Sequence, residues 1–259
     1  MKLLYSAYKY LIHILRAKNS NGFGVHSPFL FYFTTHVIYE KHQFYAYRDI
    51  EKRRQAMLLS SGVVEITDFG TGVNRKAEVK KIASRSLKKP EYGQLFFRIV
   101  RFLNARTVFE LGTSLGITTA YLAAPDKNIN CYTFEGCRDI ARLAEQNFET
   151  LHLDNIHLVK GNIDVTLPGI LNENVSPDFI FIDANHCSDA LFRYFELFLP
   201  HIHENTIVVV DDIYWSADMT NGWVQLKTHP KVTSSIDLFS VGILFFKPEL
   251  YKKHYVMRF

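Results

Sequence analysis

The chain of 259 residues is long enough for one large α/β domain with an appendage and too short for two typical enzyme domains. Hydrophobic residues make up 47% and charged residues 22%, which excludes a disordered chain, and a formal charge of +4 falls well short of the dense positive field of a dedicated nucleic-acid binder. Three cysteines, Cys131, Cys137 and Cys187, are odd in number and lack zinc-finger spacing, which argues against a disulfide framework or structural zinc and for a reducing, cytoplasmic setting.

The opening stretch MKLLYSAYKYLIHILRAK is apolar, yet Lys9, His13 and Arg16 interrupt it and no small-residue cleavage site follows. It reads neither as a signal peptide nor as a membrane span. Leu4, Tyr8, Leu11 and Leu15 share one helical face, expected to pack into the core or against another subunit, with a membrane surface as the rarer alternative. Twelve Phe or Tyr precede Arg48, and Pro28 breaks the chain before a helix can restart at Phe29. Residues 1–90 are thus predicted as a mainly helical cap, through which the chain could self-associate. Two features inside it stand out. Residues 63–66 read as a strand running into the glycine loop DFGTG at 68–72, and residues 74–87 read as a basic amphipathic helix carrying Arg75, Lys76, Lys80, Lys81 and Arg85. That helix is expected to present a solvated face, with RNA binding as the rival, because aromatic interleaving is absent.

From 91 to 259 strand and helix signals alternate. Apolar strands are predicted at 107–111, 130–134, 156–160, 179–182 and 206–210, separated by helices at 117–124, 138–151 and 190–199, with a leading helix at 92–103. Two closely spaced extended runs, 235–238 and 242–246, suggest an antiparallel edge hairpin. The expected fold class is therefore α/β: a doubly wound, mostly parallel seven-stranded sheet with an antiparallel edge hairpin, preceded by the helical cap.

A second glycine loop, VFELGTSLG at 108–116, competes with DFGTG for a cofactor. In doubly wound sheets the loop after the first strand passes under the ligand, and an acid at the tip of the next strand takes the ribose hydroxyls. After Gly72 no such acid arrives. After Gly116 come a helix and CYTFEG, placing Glu135 at a strand tip roughly 20 residues downstream, where a ribose contact is expected. DFGTG is left as a turn or a lid. A nicotinamide fingerprint needs a middle glycine where Ser114 stands, which argues against NAD.

The loop ELGTSLGITT resembles that of class I S-adenosylmethionine-dependent methyltransferases, in particular their small-molecule, catechol O-methyltransferase-like branch. The resemblance extends over roughly 92–246 and is carried further by FEGC, VKGNIDVTLP, FIDANHCSDA and VVVDDIYWS. It implies a Rossmann-like fold, S-adenosyl-L-methionine as cofactor and O-methylation of a small-molecule acceptor. The rivals are an RNA methyltransferase using 75–89 and a non-catalytic cofactor-binding or interaction module. Glu110, Gly112, Thr113, Ser114 and Gly116 should surround the methionine moiety, Glu135 and Gly136 the ribose, and Asn162 and Ile163 the adenine, with Asp183 also at the cofactor. Asp183, Asp211 and Asp212 end two central strands, and converging carboxylates there could hold Mg²⁺ or another divalent cation. In metal-dependent relatives an Asn stands where this chain has Asp212 and a Lys where it has His186. His186, on the loop after Asp183, is the candidate general base. Cys187 lacks a paired base and reads as an incidental thiol. Trp215 and Trp223 could wall a planar substrate or pack the core.

Overall fold

The structure, a computed structural model, describes residues 2–67, 74–172 and 175–259; the DFGTG loop at 68–72 lies outside them. In chain order the helices are α1 (Lys2–Arg16), α2 (Pro28–Phe33), α3 (Tyr45–Leu59), α4 (Val79–Ser86), α5 (Pro90–Phe102), α6 (Ile117–Ala123), α7 (Arg138–Thr150), α8 (Ile163–Leu171), α9 (Ser188–Phe198) and α10 (Ala217–Thr228). The strands are β1 (Val63–Thr67), β2 (Asn74–Glu78), β3 (Thr107–Leu111), β4 (Asn130–Glu135), β5 (Ile156–Lys160), β6 (Phe179–Ile182), β7 (Ile207–Asp211), β8 (Ser234–Asp237), β9 (Val241–Phe245) and β10 (Lys253–Val256). They gather into two compact units, 42–175 and 1–41 with 176–259, limits that differ from the expected division at 90.

In the unit 42–175, β3, β4 and β5 run parallel with β4 in the middle. Val108 to Leu111 are all buried, as a strand covered on both faces requires. α5 approaches α6 closely because Gly93 has no side chain: a Cβ there would sit 2.4 Å from the Tyr121 ring. Tyr121 in turn packs edge-on to Tyr47 and donates its hydroxyl to Glu51 at 2.8 Å, tying α3 to α6.

The segment 74–87 corrects one expectation. Only Val79–Ser86 is helical; Asn74–Glu78 is a strand antiparallel to β1, with Arg75 opposite Ile66 and Lys76 opposite Glu65. The helical period of apolar residues begins at Val79 and continues through Ile82 and Ala83, so nothing holds the preceding basic residues in a helix, and pairing with β1 decides their state. The hairpin is fastened to α7: the Glu65 N–H donates to Asp139 at 3.1 Å, and the Cys137 thiol donates to the Glu65 carbonyl at 3.4 Å.

In the other unit, β6 and β7 are parallel and buried throughout. β9 lies antiparallel between β7 and β8, and β10 runs parallel to β8 at the edge. β10 was not expected; its sequence KHYV is short and half exposed, without an apolar run to announce it. Trp223 is core, since a Cβ on Gly242 would lie 2.4 Å from its indole.

α1 departs from the core-packing expectation: its apolar stripe faces outward, with Leu4 78% and Leu15 77% exposed, while His13 is buried. His13 Nε2 lies 3.0 Å from the Met257 carbonyl and Nδ1 3.2 Å from Asp237 Oδ1. The other Asp237 oxygen accepts from the Tyr214 hydroxyl at 2.5 Å, and Tyr214 stacks on Phe239. Among the described residues no helix is long and apolar enough to cross a membrane.

Candidate active site

The glycine loop after β3 is shaped by its own backbone. Gly112 and Thr113 both donate their N–H to the Phe134 carbonyl at the end of β4, which folds the loop back over that strand. Gly112, Ser114 and Gly116 have φ of 106°, 48° and 73°, the left-handed region that favours glycine. At Gly116 the need is also steric: a Cβ would meet the Phe148 ring at 2.5 Å.

This folding delivers the Ser114 N–H to Glu135 Oε2 at 2.9 Å, while Cys137 N–H donates to Oε1 at 2.8 Å. The Gly161 N–H donates to the Glu135 carbonyl at 3.0 Å, which sets Asn162 and Ile163, at the start of α8, beside the same strand tip. Asn162 caps α8 through its side chain, accepting from Asp164 N–H at 3.0 Å. Burial pushes the Glu135 carboxyl up, against backbone N–H groups of Cys137, Ser114 and Gly136 that hold it down. A carboxylate offers about four acceptor positions, so these backbone bonds leave capacity for ligand hydroxyls.

Glu110 occupies a different setting. It is wholly buried, and its Oε2 accepts from Thr133 at 2.6 Å and from Thr119; the Thr113 and Thr133 hydroxyls lie 2.6 Å apart. Desolvation raises its pKa to about 8, with the two threonines opposing and Glu135 adding to the rise. The folded chain therefore holds a proton that an unfolded one, titrating near 4.5, releases. Stability from this group is complete at low pH and declines as pH rises from about 4.5 through about 8. Glu110→Gln keeps the acceptor and cannot ionise. Urea unfolding is expected to show the variant gaining on wild type by at least ~2 kcal/mol between pH 5 and pH 9; parallel pH profiles would refute a buried, protonating Glu110.

The second set lies in the other unit. β6 ends at Ile182, and the chain then turns through Asn185 and His186, both with positive φ, so that His186 Nε2 stands 3.7 Å from Asp183 and Nδ1 3.9 Å from Asp212. Asp212, itself at φ 51°, follows β7 and is pinned by its N–H to the Ser240 carbonyl at 2.7 Å. Trp215, 45% exposed, has its ring 6.2 Å from the imidazole. Asp211 points into the interior and is 1% exposed. Asp183, Asp211 and Asp212 do not assemble a chelate: among the described residues no group of three or more His, Cys, Asp or Glu is placed to hold a metal ion. Cys187 is an exposed thiol beside this loop.

Sequence reasoning passed over Ser86, whose hydroxyl accepts from Ser114 at 2.9 Å. Ser86 is an exposed residue at the end of α4, so no pattern of burial or charge marked it in the sequence.

Against this geometry, known proteins align as follows. Residues 109–213 match the family model described as a methyltransferase domain. A catechol O-methyltransferase of Niastella koreensis is 28% identical over 127 residues, covering 48% of this chain and 57% of that protein, so the match spans little more than half of the curated relative. Among solved structures, a SAH-bound methyltransferase of Podospora anserina superposes with a TM-score of 0.60 at 14% identity, covering 86% of this chain and 97% of that one. A Bacillus cereus O-methyltransferase in complex with SAH gives 0.56 at 19% identity, covering 79% and 92%. Residues 109–213 of this chain thus match a methyltransferase domain, and the chain shares the Rossmann-like, mostly parallel α/β fold of these solved structures.

Proposed function

We propose that the protein is an S-adenosylmethionine-dependent methyltransferase that methylates a hydroxyl oxygen of a small molecule. The observation that carries this reading is the glycine loop clasping the Glu135 carboxylate through the Ser114 N–H at 2.9 Å. The donor set fits such a cofactor: a half-buried carboxylate at a strand tip, with acceptor capacity beyond its backbone bonds, suits a ribose hydroxyl. Bound S-adenosylmethionine supplies a methyl group activated by a sulfonium sulfur.

The protein's own residues then have two tasks. The loop 112–116, Glu135 and Gly136 fix the donor, with Asn162 and Ile163 beside its base. Orientation of this kind contributes on the order of 7–11 kcal/mol in well-aligned intramolecular reactions. His186 would take the proton from the acceptor hydroxyl, leaving the oxygen to accept the methyl group that the bound cofactor would supply. Asp183 and Asp212, one near each ring nitrogen, stabilise the imidazolium that results.

Calorimetry with S-adenosylmethionine tests the reading. Wild type is expected to bind one equivalent, and Glu135→Ala to bind roughly 10–100-fold more weakly, the loss of one or more charge-assisted hydrogen bonds. Equal affinity in the two proteins would place the cofactor elsewhere, and absence of methyl transfer to any of a panel of phenols and hydroxy acids would leave only a binding module.

A further inference from the structure

The unit 42–175 contains a cleft of about 530 Å³ that borders the glycine loop. Its walls are the β1–β2 hairpin, α4, Ile140 of α7 and Ser114 of the glycine loop. The volume suits a small organic molecule. Val63, Ile66, Ile82 and Ile140 give it an apolar floor, and Arg75, Lys76, Lys81 and Arg85 rim it with positive charge.

Those cations are not equivalent. Lys80 and Lys81 both grip Glu78, at 2.8 and 2.5 Å, and hold its carboxyl down at about 2. Lys76 stands opposite Glu65 across the hairpin. Arg75 instead faces Ile66, and neither Arg75 nor Arg85 has a carboxylate partner among the described residues. Two guanidinium groups over an aliphatic floor form a receptor for a carboxylate borne on an apolar body, because guanidinium matches carboxylate geometry in pairs of hydrogen bonds. A nucleic acid would call for aromatic stacking platforms, and none lines the cleft among the described residues.

The cleft is also joined to the glycine loop. The Ser114 hydroxyl donates to Ser86, Ser86 donates to the Ile82 carbonyl at 3.0 Å, and the Ser114 backbone holds Glu135. A molecule lodged against Ser86 and Ser114 therefore touches the loop that the proposed cofactor would occupy. We propose that this cleft is the acceptor subsite and that the acceptor is an apolar organic acid, an aryl or acyl carboxylate gripped by Arg75 and Arg85; this rests on the methyltransferase reading above.

The test uses the whole chain, with para-hydroxyphenylpropanoate and its neutral methyl ester as probes, titrated by calorimetry in saturating SAH. Wild type and the double variant Arg75→Gln/Arg85→Gln are compared, with Lys127→Gln as a surface control. Both arginines are exposed, so the double variant is expected to keep the wild-type melting temperature. The acid is expected to bind wild type and the control alike, and the double variant at least about tenfold more weakly, while the ester is unchanged. The subsite is overturned by any of four results: no binding of the acid to SAH-loaded wild type, unchanged acid affinity in the double variant, equal weakening of acid and ester, or loss of affinity for a single-stranded RNA oligonucleotide with the acid unaffected. The SAH titration separates the two readings. Failure of SAH to bind wild type removes the methyltransferase reading and the acceptor role with it, whereas normal SAH binding with unchanged acid affinity in the double variant removes the subsite alone.

Discussion

His186→Ala is expected to lower kcat by about 10²- to 10⁴-fold, the contribution of a positioned general base, while the affinity for S-adenosylmethionine stays at the wild-type value. The split follows from placement. Glu135 and the glycine loop belong to the unit 42–175, and His186 belongs to the other, on a turn it shares with Asp183 and near Asp212. A histidine with a carboxylate near each ring nitrogen is suited to carry a positive charge briefly, which is the state a base reaches after taking a proton. A second measurement tells base from scaffold. The rate of the variant should climb towards that of wild type as pH rises through the pKa of the acceptor phenol, where the acceptor ionises unaided, whereas a merely structural role would leave the deficit unchanged with pH. If turnover survives the substitution at neutral pH, His186 is not the proton acceptor.

Gly116→Ala carries the second large effect, here on stability. The methyl group would meet Phe148 at 2.5 Å and Ala144 at 3.2 Å, in a backbone conformation with φ 73°. Overpacking and a left-handed non-glycine residue together are expected to cost roughly 2–4 kcal/mol, read as a lower urea midpoint at unchanged slope. Adding Phe148→Leu should recover the steric share and leave the backbone share. An unaltered midpoint in the single variant would mean that the loop rearranges freely, and a loop that moves so easily could not pre-form a cofactor cradle.

Much of the architecture was written in local pattern. The runs at 107–111 and 179–182 are apolar and short, and both became buried strands. Glu135 could be picked out because its distance from Gly116 is fixed by the length of one helix and one strand. What escaped depends on partners remote in the chain. Residues 74–78 carry a basic pattern compatible with a helix, and only β1 across the hairpin makes them a strand. β10 has no apolar run and is a strand because β8 offers it an edge. α1 was legible as amphipathic, but a helical wheel does not say which side meets the protein, and the buried His13 shows that the more polar side does. Trp215 and Trp223 could not be told apart by spacing; the bare Cα of Gly242 makes room for one of them and solvent receives the other.

The His13–Asp237–Tyr214 knot bears on how the chain acquires its shape. Tyr214 lies two positions beyond Asp212, and the Asp237 carboxylate that anchors its hydroxyl is met in turn by a histidine from α1. His13 reaches the Met257 carbonyl across 244 positions. Closure of so distant a loop is slow and comes late in folding. A nascent chain emerging from the ribosome could complete its glycine-loop half long before the imidazole of His186 found its neighbours, and a shortened α1 should yield a protein that captures nucleoside yet turns over poorly.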